Sequence, residues 1–489
     1  MATIDEIIKT RLEKRKKLKE GGANPYPVHV NQTHTTAEAL ENFSELSKKE
    51  EPVKLTGRIM AFRTHGAISF AELKDGSGQI QLAFREDGMG KAAYEEIQEI
   101  LDRGDFINAE GTLFETKRGE KTLDVKKFDI ISKSIRPLPE KWHGLKDVEL
   151  RYRQRYLDLL MNEDVRELFE KRSLIVKEIR NFLEENDFTE VETPILQMIA
   201  GGASAKPFKT HLNAFDLDVY LRVAPELYLK RLLVGGMDKV YEIGRNFRNE
   251  GVDYSHNPEF TMLEFYWAYS DYKEGMKFIE EMLSGLVKKV IGKDKFEYEE
   301  KEVDFKTPWE RIEFKDLLRK YADINYDDYN FESLKKKAEE LGVKMTGDIH
   351  SKPQVADQIY KKFCLPNIVN PTFIIHYPSE MLPLAKPLDD NPDYAASFQL
   401  VIAGWELVKA YSELNDPVVQ REHFEKQEEL QKAGDPEAQS MDMDFVEALE
   451  HGMPPALGVG IGIDRLTAFL TGAHSLREII LFPTMKPKE

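Results

Sequence analysis

The stretch Tyr241-Glu242-Ile243-Gly244-Arg245-Asn246-Phe247-Arg248-Asn249-Glu250, closed by His256-Asn257-Pro258-Glu259-Phe260-Thr261, decides the fold of this chain. Strand-like runs, 240–247 and 260–269, flank a polar loop. Side chains alternate along a strand, so Glu242, Gly244, Asn246 and Arg248 share one face and Phe260, Met262, Glu264 and Tyr266 another. A guanidinium, an aromatic ring and carboxylates can thus converge on one surface, as an anionic aromatic ligand such as a nucleotide requires. A plain surface hairpin with a salt bridge would explain the arginine and glutamate, but not Gly244, Phe260 and their spacing together.

A second string, Ala456-Leu457-Gly458-Val459-Gly460-Ile461-Gly462-Ile463-Asp464-Arg465-Leu466, alternates glycine with apolar residues. It predicts a strand that another group can approach closely, either a ligand or a neighbouring element. Asp464 is expected to cap a helix over 465–471, which would place Arg465 at a positive helix terminus suited to a phosphate.

Working outward, residues 53–62, 67–74, 79–84, 106–114 and 122–132 read as short strands, with a helix over 89–101. Five strands with a helix after the third suit a small Greek-key barrel of the oligonucleotide-binding kind. Phe70, Phe84 and Gln81 are candidates for base stacking and base-edge contact, core packing being the plainer role for the two phenylalanines. Before the barrel, residues 4–19 form a basic helix stopped by Gly21-Gly22, which is either a solvated face or a phosphate-binding arm. After it, the amphipathic run 162–185 predicts a long helix and 188–194 a strand ended by proline. Residues from about 272 to 375 read as a helical insertion.

Composition narrows the function. A net charge of −18 excludes indiscriminate coating of nucleic acid but allows local basic patches. The single cysteine, Cys364, rules out an internal disulfide framework and reads as a small core filler. No apolar run approaches a membrane span and the charged N-terminus is no secretory signal, so a cytoplasmic protein is expected.

Segments 178–194, 240–269 and 456–471 resemble the three signature motifs of class II aminoacyl-tRNA synthetases. The barrel and the strings Gly201-Gly202-Ala203, Ala224-Pro225-Glu226-Leu227-Tyr228 and Ser412-Glu413-Leu414-Asn415-Asp416-Pro417 narrow the resemblance to the lysyl-tRNA synthetases of bacterial type, over residues 3–487. It implies an α+β chain. An N-terminal extension (1–50), an OB-fold anticodon-binding domain (51–138) and a linker (139–150) precede a class II antiparallel-sheet catalytic domain (151–489). It also implies ATP and L-lysine as substrates, tRNA(Lys) as partner, Mg²⁺ and a homodimer.

Carried over by position, Arg248 and Arg465 are the catalytic cations. Arg248, Glu250, His256, Phe260, Glu406, Gly462 and Arg465 are implied to hold ATP, with Phe260 stacked on adenine. Gly202, Glu226, Arg248, Glu264, Tyr266, Lys409, Tyr411 and Glu413 are implied to hold lysine, and Phe70, Gln81 and Glu120 to read the anticodon. The chemistry agrees, since a buried ammonium needs carboxylates and further acceptors in place of water.

The chain departs from the family at three places. The metal-binding positions are Gln399 and Glu406 where two glutamates are usual, Lys409 replaces an asparagine, and Lys206 stands where arginine is common. An amide is a poorer Mg²⁺ ligand than a carboxylate. Lys409 either supplies local charge in place of a metal ion or turns to solvent. An aspartyl or asparaginyl relative, and a paralogue that binds RNA without charging it, are the competing readings.

Overall fold

A computed structural model describes residues 3–139, 145–203, 205–345, 349, 351–432 and 441–487; part of the expected linker, 140–144, lies outside them. The chain divides into two compact units, Met1–Lys146 and Asp147–Glu489.

In the first unit, β1 (Val53–His65), β2 (Ile68–Lys74), β3 (Gln79–Arg85), β4 (Phe106–Glu115) and β5 (Lys121–Ser132) close a barrel in the order β1-β2-β3-β5-β4. Alternation along β2 and β4 sends Ala71, Leu73, Ile107 and Ala109 inward. Bulges between Ile59 and Ala61 and between Glu110 and Gly111 bend the strands enough to close. The expected helix is present as Lys91–Ile100, preceded by one turn, Glu86–Met89.

The N-terminal helix Ile4–Glu20 begins with a capping box between Thr3 and Glu6. Part of its basic face is spent inside the unit. Buried Arg11 donates to the carbonyls of Arg103, Ser134 and Arg136, Lys14 pairs with Asp102 at 2.8 Å, and Lys17 pairs with Glu99. Arg11 and Lys14 dock the helix, which leaves them unavailable to a phosphate backbone, whereas the Lys17–Glu99 pair is exposed.

The second unit is built on an eight-stranded sheet, with two smaller sheets beside it. Its strands are β6 (Thr189–Glu190), β7 (Leu196–Gln197), β8 (Phe208–Leu212), β9 (Leu217–Leu221), β10 (Lys239–Phe247), β11 (Glu259–Ala268), β12 (Lys295–Tyr298), β13 (Lys301–Asp304), β14 (Glu310–Glu313), β15 (Thr372–Ile375), β16 (Ser397–Ile402), β17 (Trp405–Ser412) and β18 (Ala456–Gly462). The large sheet runs β14-β15-β16-β17-β18-β11-β10-β6. It is antiparallel except at β14–β15 and β10–β6.

The two faces of this sheet have opposite chemistry. Tyr241, Leu263, Phe265, Phe398, Leu400, Val408, Ala410, Leu457, Val459 and Ile461 bury one face under the helices Glu163–Glu185, Tyr272–Val290 and Ile463–Thr471. Each such Leu, Ile or Phe contributes about 1.5–3 kcal/mol. The intervening residues, Glu242, Gly244, Met262, Glu264, Tyr266, Gly458, Gly460, Lys409 and Tyr411, belong to the other face by strict alternation.

Two expectations need correction. Residues 272–375 are not helical throughout: they contain β12 to β15, two of them strands of the large sheet. Four-residue strands are too short to show alternation, whereas the helices Phe314–Ala322, Phe331–Glu340 and Lys352–Ile359 carry a clear apolar face around Cys364. Asp464 is not the helix cap either. The helix begins at Ile463 with Gly462 before it, and the Asp464 carboxylate accepts from Thr261 N and pairs with Arg172 at 2.6 Å. Cys364 is the expected core filler, its thiol pushed up to about 12 by burial.

Candidate active site

Strand register assembles the site. Across β10 and β11, Glu242 faces Glu264, Gly244 faces Met262 and Asn246 faces Phe260. Across β11 and β18, Met262, Glu264 and Tyr266 face Gly462, Gly460 and Gly458. Across β18 and β17, Gly460 and Gly458 face Lys409 and Tyr411, and Gln399 of β16 faces Lys409. The residues of the two sequence strings therefore form adjoining rows on one surface.

The glycines are required by their neighbours. A Cβ on Gly458 would lie 1.8 Å from Glu413 Oε1, and one on Gly244 would lie 2.1 Å from a guanidinium nitrogen of Arg222. At Gly458 the neighbour admitted is a site side chain, and at Gly244 a supporting one.

At one end lies a buried acidic cluster. Helix Glu226–Val234 presents Glu226 and, one turn later, Lys230. Lys230 has no exposed side-chain surface and pairs with Glu226 at 2.6 Å and with Glu413. The two carboxylates hold its ammonium above its ordinary range despite burial. Tyr411 OH donates to Glu226 Oε1 at 2.8 Å, and Tyr266 OH to Glu264 Oε2 at 3.1 Å. Burial, reinforced by the charge of Glu226, pushes the Glu264 carboxyl up to about 8. Gly202, at φ +88°, lies against Glu226. With Glu264 held protonated by that shift, the cluster has room for a further cation, and a cationic ligand would draw Glu264 into its ionised form.

The other end is cationic and more open. The Arg248 guanidinium lies 5.1 Å from the centre of the Phe260 ring. Arg465 donates to Nε2 of His256 at 3.2 Å and to the Glu406 carbonyl at 3.4 Å. Nε2 of His256 thus accepts, and its Nδ1 faces Asp253 at 3.0 Å. Glu250 and His256 are exposed at the loop. Lys409 keeps exposed surface, yet desolvation of its ammonium pulls it below the usual range, against the opposing charges of Glu226 and Glu406.

Other residues of the same surface are structural. Glu242 is taken by buried Arg222 and by Thr193, whose hydroxyl donates to it at 2.7 Å, so only one carboxylate of the hairpin pair faces the ligand end freely. Arg222 and Lys230 were not singled out by the sequence reading. The spacing of Glu226 and Lys230, four apart on one helix, is the signal that would have found the second.

A Mg²⁺ held by the protein alone does not fit these residues. Among the described residues, no three His, Cys, Asp or Glu side chains cluster to hold a metal. Of the two expected ligands, Gln399 is a neutral amide whose oxygen accepts from Tyr377 OH at 2.6 Å, which leaves Glu406 as the only carboxylate. Such a pair suits at most an ion brought in on phosphate oxygens.

In the barrel, the structure separates the aromatic candidates. Phe84 is fully buried against Phe62 and Phe128, a core residue. Phe70 and Gln81 lie on the opposite face of the same β-ribbon, half-buried. Gln81 donates to Thr122 Oγ1 at 3.0 Å, and that hydroxyl donates to the Glu120 carbonyl at 3.1 Å, so Gln81 and Glu120 are neighbours.

Comparison with known proteins agrees with this geometry. Residues 147–486 match the family model of class II tRNA synthetases (D, K and N), and 53–131 match that of OB-fold nucleic acid binding domains. The chain is 48% identical to the lysine–tRNA ligase of Pelotomaculum thermopropionicum, over 99% of this chain and 96% of that one. It is 49% identical to that of Carboxydothermus hydrogenoformans, over 99% of both. The lysine–tRNA ligase of Clostridium tetani is 47% identical, over 99% of this chain and 97% of the relative. This chain therefore belongs to the class II tRNA synthetases (D, K and N), with an OB-fold nucleic acid binding domain ahead of the catalytic sheet.

Proposed function

We infer that this chain is an ATP-dependent lysine–tRNA ligase. The observation that carries the reading is the buried cluster of Glu226, Glu264 and Glu413 beside Tyr266 and Tyr411, adjoining the cationic end at Arg248. An aspartate or asparagine side chain would add a negative or neutral group to a cluster of buried carboxyls, whereas the ε-ammonium of lysine supplies the positive charge that stabilises their ionised forms.

Lysine enters with its ammonium among the carboxylates, near Gly202, and its carboxylate toward Arg248 and Lys409. That carboxylate is already an anion, so it attacks the α-phosphate of ATP without a general base, and pyrophosphate leaves. Arg248 and Arg465 neutralise the charge that builds on the phosphates, while His256, Glu250, Glu406, Gly462 and Phe260 hold the nucleotide. A ribose hydroxyl at the 3′ end of tRNA(Lys) then displaces AMP from the mixed anhydride. Phe70, Gln81 and Glu120 are assigned to the anticodon. The domain partition given by the resemblance, with an anticodon barrel serving a separate catalytic unit, goes with this reading, as does a cytoplasmic setting. Among the described residues, no helix is long and apolar enough to cross a membrane.

A homodimer is part of the same proposal. Exposed Ile195, Leu196, Met198 and Phe215, with Leu481 and Phe482 beside the helix Glu163–Glu185, leave apolar surface that a second copy would cover. Lysine-dependent exchange of pyrophosphate into ATP, followed by charging of tRNA(Lys), tests the function. Aspartate-dependent exchange would point to the sister activity, and RNA binding without exchange to a binding protein.

A further inference from the structure

Gln399, Lys409, Gly460 and Glu264 are neighbours in one row across β16, β17, β18 and β11. Gly460 contributes no side chain, so Lys409 is the only long side chain in this row between the amide of Gln399 and the carboxylate of Glu264. It stands within the electrostatic reach of Glu226, Glu406, Arg248 and Asp357. That is the junction between the acidic and cationic ends, where the carboxylate of a bound amino acid would meet the α-phosphate.

Of the two side chains expected to recruit a divalent ion at this junction, Gln399 is already engaged. The Gln399 amide oxygen carries the hydrogen bond of Tyr377, a tyrosine only 4% exposed, and Gln399 brings no charge. Asp357, whose charge also reaches Lys409, pairs with Lys361 at 2.8 Å. Lys361 in turn lies within reach of Glu406 and Arg465. With Lys361 spent on Asp357, the junction holds Arg248, Lys409 and Arg465 against the one expected metal-binding carboxylate, Glu406. That distribution attracts an anion and leaves little to hold a second dication.

We propose that the Lys409 ammonium is a fixed counter-ion to the lysine carboxylate and the α-phosphate, and that the enzyme activates lysine with only the Mg²⁺ that arrives on ATP. The assignment rests on the lysine–tRNA ligase reading. An ammonium on the sheet needs no recruitment from solution, offers donors that follow the phosphate oxygens, and stays in place when free metal is low.

The test counts ions and follows activity separately, on the full chain. Mn²⁺ binding is titrated by electron paramagnetic resonance with α,β-methylene-ATP and lysine present, and lysine-dependent pyrophosphate exchange is measured against free Mg²⁺ above that needed to load ATP. The expected result is one Mn²⁺ per bound nucleotide and an exchange rate that is flat once ATP is loaded. The double variant Gln399→Glu/Lys409→Asn should bind additional Mn²⁺, with a rate that keeps rising with free Mg²⁺. Lys409→Met should lose about a hundredfold in exchange rate at unchanged melting temperature, and Lys409→Arg should recover part of it. Two or more Mn²⁺ per nucleotide in the parent protein, or a Lys409→Met variant with the parent's rate, overturns the proposal. If the parent shows no lysine-dependent exchange, the ligase reading fails, and the ion count still decides how the nucleotide is held.

Discussion

The two ends of the cleft are built on the same strands but by different means. At the acidic end, Glu226, Glu264, Glu413 and Lys230 are buried and tied to one another and to Tyr266 and Tyr411. At the cationic end, Glu250 and His256 are open to water, and Arg465 is steered by a histidine and a carbonyl. The contrast teaches where selectivity resides. A buried group left unpaired is costly, so the acidic end can reject a ligand that lacks the ammonium, while the open end serves a nucleotide whose charge does most of its own recognition.

The sharpest way to break this comparison is to remove the cation that belongs to the acidic end. Lys230→Met leaves Glu226 and Glu413 buried without it and should destabilise the catalytic unit by about 3–5 kcal/mol, measured by denaturant unfolding. A loss near zero would mean the cluster is less desolvated than its burial indicates. At the cationic end, Arg248→Ala should instead leave stability nearly unchanged and lower kcat/KM for pyrophosphate exchange by about 10²–10³-fold.

Glu264 sharpens the contrast through pH. With a carboxyl raised to about 8, it is largely protonated in the free site near neutrality, while a bound ammonium favours the ionised form. Lysine affinity should therefore rise with pH up to about 8, with a proton released on binding, which calorimetry in buffers of different ionisation enthalpy measures. Glu264→Gln should flatten that rise and weaken lysine binding. The same raised value makes the folded state lose stability as pH climbs from the ordinary carboxylate range toward 8, because the unfolded chain ionises first. The smallest effect belongs to the exposed loop. His256→Ala should change kcat/KM by less than about tenfold, in KM for ATP, since exposed polar pairs contribute about 0–1 kcal/mol. A larger loss, or one in kcat, would move His256 into the chemistry.

Much of this was legible in the linear chain because it rests on short-range rules. The alternation in Leu457-Gly458-Val459-Gly460-Ile461-Gly462 determines which face is core and which is site, and the strand spacing over 53–132 determines the barrel. The chain alone also placed Arg248, Phe260, Glu264 and Tyr266 on one surface, since a two-residue period does not depend on partners. Only the tertiary structure decided how the charges pair. It took Glu242 out of the site by bringing in Arg222 from the segment just after β9, gave Glu226 and Glu413 a shared ammonium, turned Asp464 from a cap into the partner of Arg172, and bound the Gln399 amide to Tyr377. The physical reason is that periodicity is a property of a few consecutive residues, whereas the partner of a buried charge comes from segments tens to hundreds of positions away, and burial makes that partner decisive.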